Sequence, residues 1–211
     1  MLDKLSDIKD DIIFIAENGA LVKKGDEELS STPLNRTVKD ELLNIVSAID
    51  GAQAMLCGKY KAYFDQDTML LMNQLTEYYS AYEVVENYAD VNKEIVKIAV
   101  YHAKSAEDFI YPQVAHLEDS VKVKVSGQYW LDLNDAEAHK GNALKRLIDE
   151  MGIKPHEVLA FGDYNNDIEM LQLVGHSFAM ANAHPNVKEI AKYQTLSNNE
   201  LGVETILEKL I

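Results

Sequence analysis

The feature that most constrains this chain is the alternation in its last third. Short apolar runs give way to helical stripes, and each apolar run ends on polar residues. Val158-Leu159-Ala160-Phe161 reads as a buried strand, followed at once by Gly162-Asp163-Tyr164-Asn165-Asn166-Asp167 and a helix over Ile168–Leu173. Ser177–Met180 reads as a second strand, then Ala181-Asn182-Ala183 and a helical stretch at Val187–Ala191. Upstream, Ala143, Leu144, Leu147, Ile148 and Met151 form a helical stripe stopped by Gly152, and Val203–Leu210 closes the chain as a helix. Strands that alternate with helices imply a parallel sheet and a doubly wound (Rossmann-like) α/β domain. Ligands of such sheets bind beyond the carboxyl ends of the strands. The loops after Phe161 and Met180 are therefore the expected site.

The earlier two-thirds read differently. Ile12–Ala16 is a short apolar strand, Glu17-Asn18-Gly19 a turn, and Ala20–Val22 with the stretch after Lys23-Lys24-Gly25-Asp26 a short hairpin. Val38, Leu42, Ile45 and Ile49 share one helical face over Thr37–Ile49, with Asn35 or Thr37 as the cap and Asp50-Gly51 as the stop. Strands are expected at Tyr60–Phe64, Ile95–Tyr101, Val121–Val125 and Tyr129–Leu133, and helices at Thr68–Tyr79 and Ala106–Leu117. Val121, Val123 and Val125 alternate with lysines, as in a sheet open on one face. The expected division is a doubly wound core from 1–33 and 127–211 and an α+β domain, 34–126, inserted between them.

The formal net charge of −15 repels phosphate backbones, so nucleic acid is excluded as a partner. No apolar run reaches the roughly 18 residues of a membrane span, and no signal-peptide core precedes the first acidic residues. The single cysteine, Cys57, suits a reducing cytoplasm and has no base beside it, so it reads as an apolar filler. The histidines lack metal-ligand spacing, and His139 and His184 read as surface positions. Tyr78, Tyr79, Tyr82 and Tyr88 read as packing residues of the middle section.

The expected chemistry is an oxygen-ligated metal beside a phosphate. Asp163 and Asp167 lie four apart on a loop entering a helix, so both carboxylates can turn to one side. Mg²⁺ is hard and takes one or two carboxylates plus substrate phosphate. Lys140 opens another helix and offers a point charge to a phosphate oxygen. Asn166 and Asp167 could equally do no more than cap the helix.

Lys140-Gly141, Gly162–Asp167 and Met180-Ala181-Asn182-Ala183, with Ala16-Glu17-Asn18-Gly19-Ala20 and Asn198-Asn199-Glu200-Leu201-Gly202-Val203, resemble Cof-type phosphatases of the haloacid dehalogenase superfamily. The likeness runs along essentially the whole chain. It implies a Mg²⁺-dependent phosphomonoesterase acting on small phosphorylated metabolites such as sugar phosphates. By that resemblance Lys140 neutralises phosphate and nucleophile, Asp163 ligates Mg²⁺, and Asp167 supports the metal directly or through water. Asn166 hydrogen-bonds the phosphoryl group, and Asn182 orders the adjoining loop. The 34–126 segment is then a cap closing over the substrate.

Members of that family carry Asp-x-Asp-Gly-Thr after the first core strand, and its first aspartate forms an aspartyl-phosphate. A Ser or Thr motif follows it. Both precede the Glu-Asn-Gly turn, and the residues up to Glu17 are too few for the βαβ unit of about 30 residues that would hold them. The expectation is that these 211 residues alone are inactive. The other reading is a catalytically inactive truncated protein that only binds a ligand or partner. Asp65-Gln66-Asp67-Thr68 mimics the missing motif, but it lacks the glycine and lies in the cap region.

Overall fold

A computed structural model describes residues 7–8, 10–65, 68 and 81–210. The chain divides into two compact units, one up to Ala138 and one from His139 onward.

The first unit begins with β1 (Ile13–Ala16), β2 (Leu21–Lys24) and β3 (Glu27–Ser31), an antiparallel sheet in that order. The β1–β2 connection is a four-residue loop, Glu17–Ala20, longer than a two-residue hairpin turn. Glu17, Asn18 and Gly19 all take positive φ, at 50°, 59° and 102°. Gly25, at φ +55°, makes the expected turn between β2 and β3. Helix α1 (Arg36–Ser47) follows, and the Asn35 side chain accepts from Thr37 N at 2.9 Å as its cap. Its buried face is Lys39, Leu42 and Val46. The stripe expected on Val38, Ile45 and Ile49 flanks that face half-buried, so the helix is rotated from the sequence reading.

The remaining strands are β4 (Ala52–Gly58), β5 (Ala62–Phe64), β6 (Tyr82–Val84), β7 (Ile95–His102), β8 (Val121–Gly127) and β9 (Trp130–Asp135). They form one sheet in the order β6-β5-β4-β7-β9-β8. β7 lies between β4 and β9, antiparallel to both, and almost every residue in it is buried. Ile98 and Val100 pack with Leu42, Val46, Leu131 and Leu133 in the main core. Ala99 and Tyr101 pack with Met55, Cys57 and Phe64, against Trp130. Cys57 is thus a filler in an apolar cluster, as expected.

β4 was not expected from the sequence. Ala-Gln-Ala-Met-Leu-Cys-Gly has no β-branched residue, and its extended form comes from pairing with β5 and β7. The helix expected over Ala106–Leu117 is instead two single turns, α2 (Ala106–Phe109) and α3 (Tyr111–Val114), and a 3₁₀ turn at Ala115–Leu117. Pro112, lacking an N–H, breaks the run. Apart from Thr68, the helix expected at Thr68–Tyr79 lies outside the described residues, as do Tyr78 and Tyr79. The expected boundary at 126/127 needs correcting. β9 is paired on both sides inside the six-stranded sheet, and the β1–β3 sheet groups with it. One cause is visible in the side chains: Asn18 Nδ2 donates to Asp132 Oδ2 at 2.7 Å, tying the β1–β2 turn to β9.

The second unit is the doubly wound part: α4 (Lys140–Glu150), β10 (Leu159–Gly162), α5 (Ile168–Leu173), β11 (His176–Ala179), α6 (Pro185–Ile190), β12 (Tyr193–Gln194) and α7 (Gly202–Leu207). β10, β11 and β12 are parallel neighbours in that order, as the strand–helix alternation requires. β12 is the addition to the sequence reading; two exposed residues carry no periodicity. Ala160, Leu171, Val174, Ala179 and Val187 form the centre of this unit's core.

Tyr88 gives a stability test for the first unit. Its hydroxyl donates to Ala54 O and accepts from Asp65 N at 3.0 Å, and burial pushes its pKa up to about 12. The folded chain therefore holds this proton more tightly than the unfolded one. The contribution is full below the ordinary value of 10.0 and is lost as pH rises through about 12. Urea unfolding across that window is expected to show a loss of at most about 2.7 kcal/mol from this group. Tyr88→Phe is expected to flatten the step while lowering stability at neutral pH; an unchanged alkaline profile would contradict the assignment.

Candidate active site

β10 delivers Gly162 to the end of the parallel sheet, and the chain turns there through the 3₁₀ segment Asn165–Asp167 into α5. Asp167 turns back under this loop. Its side chain is 7% exposed, and Oδ2 accepts from the backbone N–H of Asp163 at 3.0 Å and of Tyr164 at 3.4 Å. A Cβ on Gly162 would stand 2.7 Å from the Asp167 Cβ, so glycine is needed for the carboxylate to fit. The other oxygen, Oδ1, accepts from Lys140 Nζ at 2.6 Å.

Lys140 reaches that oxygen because α4 packs very close to α5. A Cβ on Gly141 would lie 2.8 Å from the Glu169 backbone. The Lys-Gly pair is thus a charge followed by the absence of a side chain that lets the charge approach. His139 caps α4, its Nδ1 accepting from Asn142 N at 3.1 Å. His184 caps α6 in the same way toward Asn186 N at 3.2 Å, and its own N–H donates to Asp163 O at 2.9 Å. These two histidines, read from the sequence as surface positions, are helix caps.

The neighbouring loops are coupled to this one. Met180 N donates to Gly162 O at 3.1 Å, and Asn182 Oδ1 accepts from Asn198 N at 3.2 Å. The Asn198–Val203 motif is structural. Ser197 and Glu200 close a capping box, Leu201 takes φ 57°, and a Cβ on Gly202 would meet Leu196 O at 2.1 Å.

The structure therefore brings Lys140, Asp167 and the Asp163 backbone into one hydrogen-bonded network, with half-buried Asn166 in the same turn. The Asp163 carboxylate has no protein partner among the described residues. Asp167 has spent one oxygen on Lys140 and the other on two amides. Lys140 keeps two of its three N–H donors. As a donor set this fits part of a Mg²⁺ shell: one hard oxygen ligand available, a second carboxylate already engaged. No group of three His, Cys, Asp or Glu side chains able to hold a metal occurs among the described residues. Asp65, in the motif mimic, accepts from Thr68 N at 2.7 Å as a turn-closing cap; Gln66 and Asp67 lie outside the described residues.

A second polar cluster, in the first unit, escaped the sequence reading. Lys97 Nζ lies 2.8 Å from Glu17 Oε2 and 3.6 Å from Asp132 Oδ2. Asn18 Nδ2 also donates to Asn134 Oδ1 at 3.3 Å, and Asn134 Nδ2 to Val96 O at 2.9 Å. Glu17, Lys97 and Asp132 line a cavity of about 410 Å³ together with Tyr129 and Trp130. The available signal was a lysine in the otherwise apolar strand Ile95–His102. Backbone strain at Glu17 and Asn18 marks the same place.

The sequence pattern of the haloacid dehalogenase-like hydrolases matches residues 1–207. The chain belongs to this family. The hydrolase is 32% identical to the 5-amino-6-(5-phospho-D-ribitylamino)uracil phosphatase YbjI of Escherichia coli, over 97% of this chain and 76% of that protein. The Bacillus subtilis phosphatase YwpJ is 31% identical over 70% of this chain and 49% of its own. Among solved structures, SMU.1108c from Streptococcus mutans superposes with TM-score 0.89 at 27% identity, covering 99% of the hydrolase and 80% of that chain. The subclass IIB sugar phosphatase BT4131 matches at TM-score 0.83 and 20% identity, over 99% of this chain and 79% of that one, a likeness of fold. No helix of the hydrolase, among the described residues, is long and apolar enough to cross a membrane.

Two substitutions test the network. Gly141→Ala forces α4 away from α5 and is expected to cost about 1–3 kcal/mol. Asp167→Asn keeps an acceptor for the loop amides but removes the charge facing Lys140, at a cost of about 1–2 kcal/mol. Urea unfolding of both variants measures this; wild-type stability in either would separate that contact from the fold.

Proposed function

We propose that this hydrolase is a phosphomonoesterase that works on small phosphorylated metabolites, sugar or polyol phosphates, in the cytoplasm with Mg²⁺. The observation that carries the reading is the Lys140–Asp167 contact of 2.6 Å beside an Asp163 carboxylate that has no protein partner among the described residues, at the end of a parallel strand. Lys140 then directs its two remaining donors at phosphate oxygens, held in place by a carboxylate that the loop amides immobilise. Asn166, in the same turn, donates to the phosphoryl group. Asp163 would hold Mg²⁺, with Asp167 acting on it at one remove, through the loop it orders. Mg²⁺, when bound, supplies positive charge to the phosphate and the leaving oxygen.

The substrate class draws support from YbjI, whose named substrate joins a phosphate to a polyol chain and a flat ring. The cavity of Glu17, Lys97 and Asp132 offers charged partners for hydroxyls, and Trp130 and Tyr129 offer faces for a ring. In this reading the six-stranded sheet belongs to the cap and the 139–211 unit to the core. The attacking aspartate, in the family's covalent strategy, comes from a segment outside residues 1–211.

An assay with Mg²⁺ and an aryl phosphate tests the proposal. The 211-residue polypeptide by itself is expected to show no turnover, since loss of a nucleophile costs on the order of 10⁶ in rate. Joined to a family Asp-x-Asp-Gly-Thr segment it is expected to turn over, and Asp163→Asn in that completed enzyme to raise the Mg²⁺ requirement by about 100-fold or more. Turnover by the 211 residues alone that survives Asp65→Ala would overturn the reading. In the same completed enzyme, Lys97→Met is expected to raise KM for a polyol phosphate with kcat for the aryl phosphate unchanged.

A further inference from the structure

β8 and β9 are joined by a two-residue turn: Gly127 pairs with Trp130, which leaves Gln128 and Tyr129 at the tip. This tip forms one wall of the cavity of Glu17, Lys97 and Asp132, from Ser126 to Trp130. A hairpin tip tied to nothing would be a mobile wall. Here both tip carbonyls are held. The backbone N–H of His102 donates to Tyr129 O at 2.9 Å, and that of Ala106 to Gln128 O at 2.9 Å. The rings beside the tip rest on buried Tyr101, whose centroid lies 6.1 Å from that of Tyr129 and 5.2 Å from that of Trp130.

The two donors stand at the end of β7 and the start of α2. They reach neighbouring carbonyls because the chain between them bends at Ala103 and Lys104. His102 sets that bend. Its Nδ1 accepts from the backbone N–H of Lys104 at 3.3 Å and of Ser105 at 3.4 Å. A neutral imidazole that accepts at Nδ1 carries its hydrogen on Nε2, so one tautomer is selected. The ring is fixed on two sides. His102 is 5% exposed, and Phe109 stacks on it with centroids 4.5 Å apart and planes at 14°. At the Nε2 edge stands the Asp50–Gly51 turn, where a Cβ on Gly51 would lie 3.1 Å from Nε2. Ser105 then caps α2, its Oγ accepting from Asp108 N at 3.1 Å.

We infer that His102 is a positioning residue for substrate selection: through Nδ1 it sets the bend whose flanking amides fix the Gln128–Tyr129 wall of the cavity. It touches neither substrate nor reacting atoms. The inference rests on the reading of that cavity as the place that takes the substrate's hydroxyls and ring. A wall fixed beforehand spares the binding step the cost of ordering it. Every residue of this chain of contacts belongs to the unit that ends at Ala138.

Two substitutions separate the acceptor from the ring. His102→Phe keeps a flat ring against Phe109 and removes the acceptor. His102→Asn gives up the ring and restores an acceptor, its Oδ1 taking the place of Nδ1. In the 211-residue polypeptide, amide hydrogen exchange at Ser105 and Ala106 is expected to be about two- to tenfold faster in His102→Phe and near the wild-type rate in His102→Asn. In the enzyme completed with the Asp-x-Asp-Gly-Thr segment, His102→Phe is expected to raise KM for a polyol phosphate about threefold or more with kcat for it unchanged, and His102→Asn to return KM to the wild-type value. Phe and Asn variants that behave alike overturn the inference, since the packing of the ring then accounts for its effect. Lys97→Met, measured alongside, keeps the two readings apart. If it raises KM and His102→Phe does not, the inference fails and the cavity reading stands; if neither raises KM, both fail. Should His102→Phe not fold, His102→Gln, whose acceptor lies at the Nε2 position, takes its place.

Discussion

The 139–211 unit is organised by the need to satisfy one buried carboxylate. Asp167 lies under the loop that leaves β10, and a buried anion survives only if every lone pair finds a donor. Two backbone amides of the loop supply donors on one side and Lys140 supplies the charge on the other. The rest of the local design follows. Gly162 makes room for the side chain, and Gly141 lets α4 come close enough for its lysine to reach. His184 ties the Asp163 carbonyl to the start of α6. A loop built in this way has few degrees of freedom left to lose, which is the preorganisation that the proposed phosphate site requires.

In the first unit the corresponding constraint is a lysine in an apolar strand. Lys97 sits in β7, whose neighbours are nearly all buried, and it is neutralised by Glu17 and Asp132. Meeting that requirement holds Glu17 and Asn18 in the left-handed region, where non-glycine residues are uncommon. The hydrogen bonds of Asn18 to Asp132 and Asn134 offset that strain and join the β1–β2 turn to β9. One polar cluster thus fastens two sheets together and lines a cavity.

The two carboxylates of the Gly-Asp-Tyr-Asn-Asn-Asp loop show what spacing conveys and what it does not. Four residues apart, they were equivalent as metal ligands. The fold makes them unequal: Asp167 is consumed by protein donors, and Asp163 is left to act outward. The same holds for His139 and His184. No pattern distinguishes an exposed histidine from one whose Nδ1 accepts a helix N–H, because the difference lies in a side-chain torsion.

By itself the sequence determined the alternation of strands and helices after Asn134, the parallel sheet it implies, the polar loops at the strand ends and the family. Those are local matters: periodicity, turn residues and short motifs record them residue by residue. Tertiary structure decided what depends on pairing partners distant along the chain. β4 is a strand because β5 and β7 flank it, although its own residues do not favour one. β9 belongs with the six-stranded sheet because β7 and β8 pair with it, which moved the division from 126/127 to 138/139. The burial of Lys39, the half-burial of Val38 and the meeting of Glu17 with Lys97 and Asp132 were likewise set by packing. A hydrophobic pattern gives the face of a helix to within a residue, and a few tens of degrees of rotation decide which side chain is covered.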